Sequence, residues 1–222
     1  GSFFFAEGLS LQTIYMPSYA GVNPKTGEAM YWRDVKGADG KVAAQVPTAD
    51  YSQATYHLQG TSLPSAYGGF GTSLSWRGLD VAVDFAYQIG GKVYDSTYAN
   101  QMAFTRGRAF HADLQDAWTP QNTHTSVPRI QFNDQYTAAA SNRFLTDASY
   151  LSLQNINVGY TLPMRWTAKA GIQKLRVYFS ADNVWLWSKR QGLDPRQSVY
   201  GSNTAEVYAP VRSLSGGVTL TL

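Results

Sequence analysis

The 222-residue sequence predicts an all-β, antiparallel fold whose strands cross a membrane, and three observations predict it. Hydrophobic residues recur at every second position, the stretches that show this period are long, and the connections between them are lopsided in length. The clearest stretch is LDVAVDFAYQI, residues 79 to 89, where Leu79, Val81, Val83, Phe85, Tyr87 and Ile89 alternate with Asp80, Ala82, Asp84, Ala86 and Gln88. Successive strand side chains point to opposite faces, so one face of this ribbon is wholly apolar and the other small or charged. A helix would mix the two sets.

Taken in order, the chain opens with GSFFFAEGLSLQ, which reads as a strand. In YGGFGTSLSWRG, Phe70, Thr72, Leu74 and Trp76 share one face, with Gly71, Ser73, Ser75 and Arg77 on the other. A tight turn at Arg77-Gly78 joins this segment to the 79 to 89 strand as a hairpin. SYLSLQNINVGYTLP sets Ile156, Val158, Tyr160 and Leu162 against Asn155, Asn157, Gly159 and Thr161, and Pro163 ends it. In KLRVYFSADNVWLW, Leu175, Val177, Phe179 and Ala181 oppose Arg176, Tyr178, Ser180 and Asp182. The last segment, VRSLSGGVTLTL, sets Leu214, Gly216, Val218, Leu220 and Leu222 against Ser213, Ser215, Gly217, Thr219 and Thr221.

A barrel strand needs about 9–11 tilted residues to cross the hydrocarbon, against about 5–6 in an average soluble strand, and these segments reach that span. The turns at 77 to 79 and 163 to 173 are short, whereas residues 34 to 66, 91 to 143 and 188 to 209 are long and polar, and are expected to be loops. Short turns at one end and long loops at the other belong to outer-membrane barrels. Trp76, Tyr150, Tyr160, Trp185 and Trp187, near strand ends, suit interfacial girdles. The competing architecture is a soluble β-sandwich, such as a carbohydrate-binding module. It would explain the aromatics but neither the loop asymmetry nor the polar faces.

Composition agrees. Charged residues are 15% of the chain, below the roughly 25% typical of soluble domains, and aromatics reach 14%. Mean hydropathy is −0.29, which does not exclude a membrane, because half the residues of a barrel strand are polar. A net charge of +3, with Lys and Arg scattered, gives no support to nucleic-acid binding. The absence of cysteine removes disulfides and thiolate metal sites.

Catalytic and metal motifs are absent. His57, His111 and His124 are far apart, without carboxylates at ligand spacing, and read as solvated loop histidines, so neither an enzyme nor a bound metal or cofactor is expected. Asp34 and Asp39 in RDVKGADGK miss the alternating spacing of a calcium loop, and Asp39-Gly40 reads as a turn. Asp80, Asp84, Arg176 and Asp182 fall on the predicted lumen faces, where charges line a path for a polar solute or pair with one another. Tyr98, Trp118, Tyr136 and Tyr200 lie in the long loops, where flat rings stack on a sugar, pack against a partner or pack within the loop.

Residues 147 to 222, through DASYLSLQNINVGYTLP, KLRVYFSADNVWLWSKRQGLDP and the strand after VYAPVRSLSGG, resemble the end of the SusC-like (RagA-like) TonB-dependent outer-membrane transporters. YAGVNPKTGEAMYW and YGGFGTSLSWRGLDVAVDFAYQIGGKVYD are similar to that family's barrel repeats. The resemblance implies that residues 1 to 222 are the last six or seven strands of a barrel of about 22, with plug domain and TonB box outside them. It further implies a Gram-negative outer-membrane location, import of oligosaccharides or peptides, and a SusD-like surface lipoprotein and TonB as partners. Ser215, Gly217, Leu220 and Leu222 match the pattern read by the barrel-assembly machinery, although that signal usually ends on an aromatic and here ends on Leu222.

Overall fold

The computed structural model describes residues 3–104, 107–132, 137–197 and 209–222. Its strands are β1 (Thr13–Pro17), β2 (Tyr19–Val22), β3 (Ala29–Lys36), β4 (Val42–Thr48), β5 (Tyr56–Thr61), β6 (Ala66–Trp76), β7 (Leu79–Ile89), β8 (Lys92–Tyr94), β9 (Leu145–Asp147), β10 (Tyr150–Thr161), β11 (Lys174–Ser188) and β12 (Ser213–Thr221). Two short helices are α1 (Ser96–Met102) and α2 (Met164–Thr167). The chain divides into two compact units, one made of Gly1–Leu63, Gly91–Asp147 and Ser198–Val207, the other of Pro64–Gly90, Ala148–Gln197 and Tyr208–Leu222.

The second unit is a five-stranded antiparallel sheet in the order β12-β11-β10-β7-β6. Its hairpin turn is as the sequence predicts: Arg77 and Gly78 have φ of 48° and 90°, the two positive values that let a two-residue loop follow the strand twist. A Cβ on Gly78 would sit 2.5 Å from the Thr161 carbonyl, so glycine is needed for contact with β10 as well as for its dihedral. At the same end, β10 and β11 are joined through α2, a 3-10 turn at Ala168–Ala170 and Gly171 with φ of 73°.

Register sorts the side chains by face. Phe70 pairs with Phe85, Leu74 with Val81, Val83 with Ile156, Val158 with Phe179, and Val177 with Val218, so one face is apolar across all five strands. That face is open: Leu74 is 65% exposed, Phe70 56%, Phe179 47% and Val218 63%. A sandwich would bury such residues against a second sheet. The buried apolar side chains described in this unit are Ala148, Ala181, Leu193 and Pro195, too few for a dry core. The apolar face is therefore built for a non-aqueous surround.

The first unit corrects several expectations. GSFFFAEGLSLQ is not a strand: Phe3 makes an isolated bridge to Ile14, and the chain then turns through Gly8 with φ of 80°. Three consecutive phenylalanines have no two-residue period, so they cannot commit to one face. Residues 34 to 66 and 91 to 143 are not bare loops. The former hold the end of β3 and all of β4 and β5; the latter hold β8, α1 and the residues Ala99, Met102, Leu114, Ala117 and Val127, which cluster with Phe144. The YAGVNPKTGEAMYW segment forms β2 and β3, which pair with β4 in a three-stranded sheet of their own.

His57 is not a solvated loop residue. It lies on β5 with Nε2 3.1 Å from Asp34 Oδ2 and Nδ1 3.3 Å from Ser18 Oγ. The Gln45 hydrogen bond to Asp34, opposed by desolvation and assisted by His57, holds that carboxyl below the ordinary carboxylate range. His111 caps the 3-10 turn Ala112–Asp116. The Asp39-Gly40 turn is as expected, with Lys41 N donating to Asp39 Oδ1 at 3.1 Å and Gly40 at φ of 76°.

Because Val83 lies on the apolar face at mid-strand, Val83→Arg is expected to destabilise the barrel by about 2–4 kcal/mol in lipid. Asp84→Asn, one residue away on the other face, is expected to stay within about 0.5 kcal/mol. Urea titration of the protein folded into phospholipid vesicles measures both.

Candidate functional site: the polar face of the sheet

The face opposite the apolar one is a set of polar rows running across strands. Asp80 on β7 pairs with Gly159 on β10, which pairs with Tyr178 on β11 and on to Gly217 on β12. Arg176 reaches over Gly159 to Asp80: its Nε donates to Oδ1 at 3.1 Å, its Nη2 to Oδ2, and Nη2 also to Asn157 Oδ1 at 3.4 Å. A Cβ on Gly159 would stand 2.5 Å from the guanidinium carbon and 2.6 Å from Asp80 Oδ2. The glycine is thus the gap through which the ion pair closes. Gly217 does the same for the Tyr178 ring, whose hydroxyl would lie 2.5 Å from an added Cβ. The Arg176 guanidinium carbon in turn sits 5.3 Å from the centre of that ring.

Two rows further on, past Ala82, Asn157 and Ser180, Asp84 faces Asn155, which faces Asp182. Asn155 Nδ2 donates to Asp182 Oδ1 at 2.7 Å and to Ser180 Oγ at 3.3 Å. Gly71, opposite Asp84, leaves room for its carboxylate, which has no bonded partner among the described residues. A bulge between Leu153 and Asn155 resets the register beyond this row, a shift that alternation alone did not reveal. Of the four charges predicted for this face, Asp80 and Arg176 meet, Asp182 meets an amide, and Asp84 stands exposed.

Past the bulge the face carries residues that sequence reasoning missed. Arg196, in the 3-10 turn Pro195–Gln197, donates from Nε to Asp194 Oδ1 at 2.8 Å, from Nη2 to Oδ2 at 2.6 Å, and from Nη1 to Ser152 Oγ on β10 at 3.0 Å. The Asp194 side chain is 2% exposed, and its Oδ1 also accepts from Arg196 N at 3.0 Å. Ser188 Oγ turns back on the Arg190 and Leu193 carbonyls at 3.0 and 3.1 Å. The start of the long 188 to 209 connection is therefore pinned to the polar face, and the Asp194 contact holds the Arg196 guanidinium above its ordinary value. The available sequence signal was Asp-Pro-Arg, a turn whose Asp accepts backbone and side-chain donors two residues on.

The loop aromatics are placed by local packing. Tyr98 Oη donates to Asp113 Oδ2 at 2.7 Å, and its ring lies edge-on to His111 and Phe144. Trp118 Nε1 donates to the Pro24 carbonyl at 3.2 Å, and its indole covers Gly27. Tyr136 and Tyr200 lie outside the described residues. In the proposed assembly signal, Ser215 and Gly217 face the polar side of β12, Leu220 faces the apolar side, and Leu222 follows the strand. Among the described residues there is no group of three or more His, Cys, Asp or Glu side chains that could hold a metal.

Long antiparallel strands with one open apolar face, a glycine-notched polar face and short turns at a single end define a portion of an outer-membrane-type β-barrel. No family model matches the chain. TonB-dependent receptor P3 of Formosa agariphila is 27% identical over 201 residues, which is 89% of this chain and 20% of that protein. TonB-dependent receptor P26 of the same organism is 28% identical over 148 residues, 65% of this chain and 14% of that protein. The structure of the RagAB peptide transporter matches at 28% identity and a TM-score of 0.74, over 94% of this chain and 22% of that one. Its open-open state matches at 0.73. The chain thus spans about a fifth of the length of the relatives it matches, and over that span it is similar in sequence and fold to the barrel of TonB-dependent receptors, the SusC-like RagA among them.

Two outcomes follow from the polar face. Gly159→Ala should break the Asp80–Arg176 pair and lower stability, yet have little effect in an Arg176→Ala background; a double-mutant cycle of unfolding free energies reads the difference. Asp194→Ala, which strands a largely buried guanidinium, should cost roughly 1–3 kcal/mol and expose the 189 to 197 segment to protease, with Asp194→Asn milder on both readouts.

Proposed function

We propose that the chain is part of a TonB-dependent transporter in the outer membrane of a Gram-negative bacterium. It would import peptides or oligosaccharides together with a SusD-like surface lipoprotein. The observation that carries this reading is the two-faced sheet: strands of 9 to 15 residues with an open apolar face on one side and Asp80, Asp84, Asn155, Arg176 and Asp182 on the other. Hydrocarbon accepts the first face and a water-filled lumen the second. The short turns then lie toward the periplasm and the long, folded connections outside the cell.

Likeness to a peptide transporter favours peptides over oligosaccharides as the solute. The lipoprotein would close over the outer connections, where Tyr98, Trp118, Tyr136 and Tyr200 are the candidate contacts. TonB would act through a plug outside residues 1 to 222, and Ser215, Gly217, Leu220 and Leu222 would serve the barrel-assembly machinery.

The test uses the full-length transporter in cells. Uptake of a fluorescent peptide mixture should be lost when TonB is deleted, and the neighbouring lipoprotein should co-purify in mild detergent. Undiminished uptake of both peptides and oligosaccharides without TonB would overturn the reading.

A further inference from the structure

Beside the end of β11 lies a small open cavity, lined by polar and apolar groups, that the transport reading does not by itself explain. Its volume is about 340 Å³, and its lining includes Asn183, Leu186, Asp194, Arg196, Pro210 and Arg212. A water molecule occupies about 30 Å³ of liquid, so the space suits one amino-acid residue or one sugar unit and not a folded partner. Part of its lining lies on the polar side, since Leu186 pairs with Ser152 and Arg196 bonds to that serine.

Charge decides what it suits. Among the described residues the lining holds two guanidiniums and one carboxylate, an excess of one positive charge. Arg196 is committed: it grips Asp194 through two nitrogens and Ser152 through the third. Arg212 is exposed and engages no acceptor among the described residues. The backbone next to it is tied to β11, because Asn183, at φ of 51°, donates from Nδ2 to the carbonyl of neighbouring Val211 at 3.3 Å. A planar fork of donors beside a buried Asp favours a monoanion over a dianion, and a carboxylate matches its geometry in two parallel bonds.

We propose that this cavity recognises a carboxylate carried by the transported solute, with Arg212 as the residue that reads it and Arg196 as a positioning residue held by Asp194. The proposal rests on the transport reading for its solute but not for its chemistry. Two sources share that chemistry: the C-terminus or an acidic side chain of a peptide, and a uronic acid of a glycan.

The experiment measures binding of four probes to the full-length transporter in detergent: N-acetyl-trialanine as acid and as amide, and trigalacturonate as acid and as methyl ester. Wild-type protein should bind the acid of at least one pair about tenfold more tightly, the size of one charge-assisted contact. Arg212→Ala should erase that preference without altering the amide or ester, Arg212→Lys should keep part of it, and Arg165→Ala in the short turn should leave it intact. The pair that discriminates identifies the source. Equal binding of acid and neutral forms in both pairs, or a preference that survives Arg212→Ala, overturns the proposal. TonB-dependent uptake with no acid preference would sink this inference and leave the transport reading standing; acid preference without uptake would do the reverse.

Discussion

Backbone hydrogen bonding in a medium that offers none is the constraint on which the rest of this structure depends. In hydrocarbon an unpaired N–H or C=O costs several kcal/mol, so a spanning strand must be paired along both edges. β7, β10 and β11 meet that demand within the chain, each with a long antiparallel neighbour on either side. β6 and β12 are each paired on one side only and need strand partners in an assembled barrel. Once pairing is imposed, register is no longer free. A one-residue slip would carry Val81, Val83 and Phe85 to the polar face and Asp80 and Asp84 into lipid.

That fixed register turns glycine into a tool on the polar face. Side chains in a packed core fit by mutual shape, but on a wetted wall the rows are open, and a long cation can lie across a neighbouring strand only where no Cβ blocks it. Gly159 provides this for Arg176, Gly71 for Asp84 and Gly217 for Tyr178. None of the three has a positive φ, so the reason for glycine here is space and not backbone conformation. The Arg77-Gly78 turn is the opposite case, where conformation and space are both demanded.

What was legible in the sequence follows the same division. The limits of β7, the two-residue turn before it and the faces of Asp80 and Arg176 were readable, because a strand between two solvents must alternate and the alternation runs for 11 residues. The bulge, which makes Gln154 the extra residue against β7 and leaves Asn183 and Val184 opposite it on β11, was not, since one extra residue leaves apolar and polar letters in plausible order on both sides. Nor was the Arg196 to Ser152 contact, which joins residues 44 apart through a turn that local pattern does not orient. The first unit was hardest. β8 and β9 are three residues each, too short to show a period, and they pair across some fifty residues of intervening chain, so tertiary packing and not propensity decides them.

The folded state of those connections bears on how such a barrel can recognise anything. Long loops rich in aromatics suggest stacking platforms, yet Tyr98 gives its hydroxyl to Asp113 and its ring to Phe144, and Trp118 gives its N–H to the Pro24 carbonyl and its face to Gly27. Each ring is already a structural member of a unit that has its own apolar cluster. Stacking a solute on either ring would compete with those bonds. Groups whose polar atoms have no partner among the described residues, Asp84 on β7 and Arg212 just before β12, impose no such competition, and both carry charge. On the proposed transport reading, charge and not ring stacking is therefore the chemistry left free to select a solute.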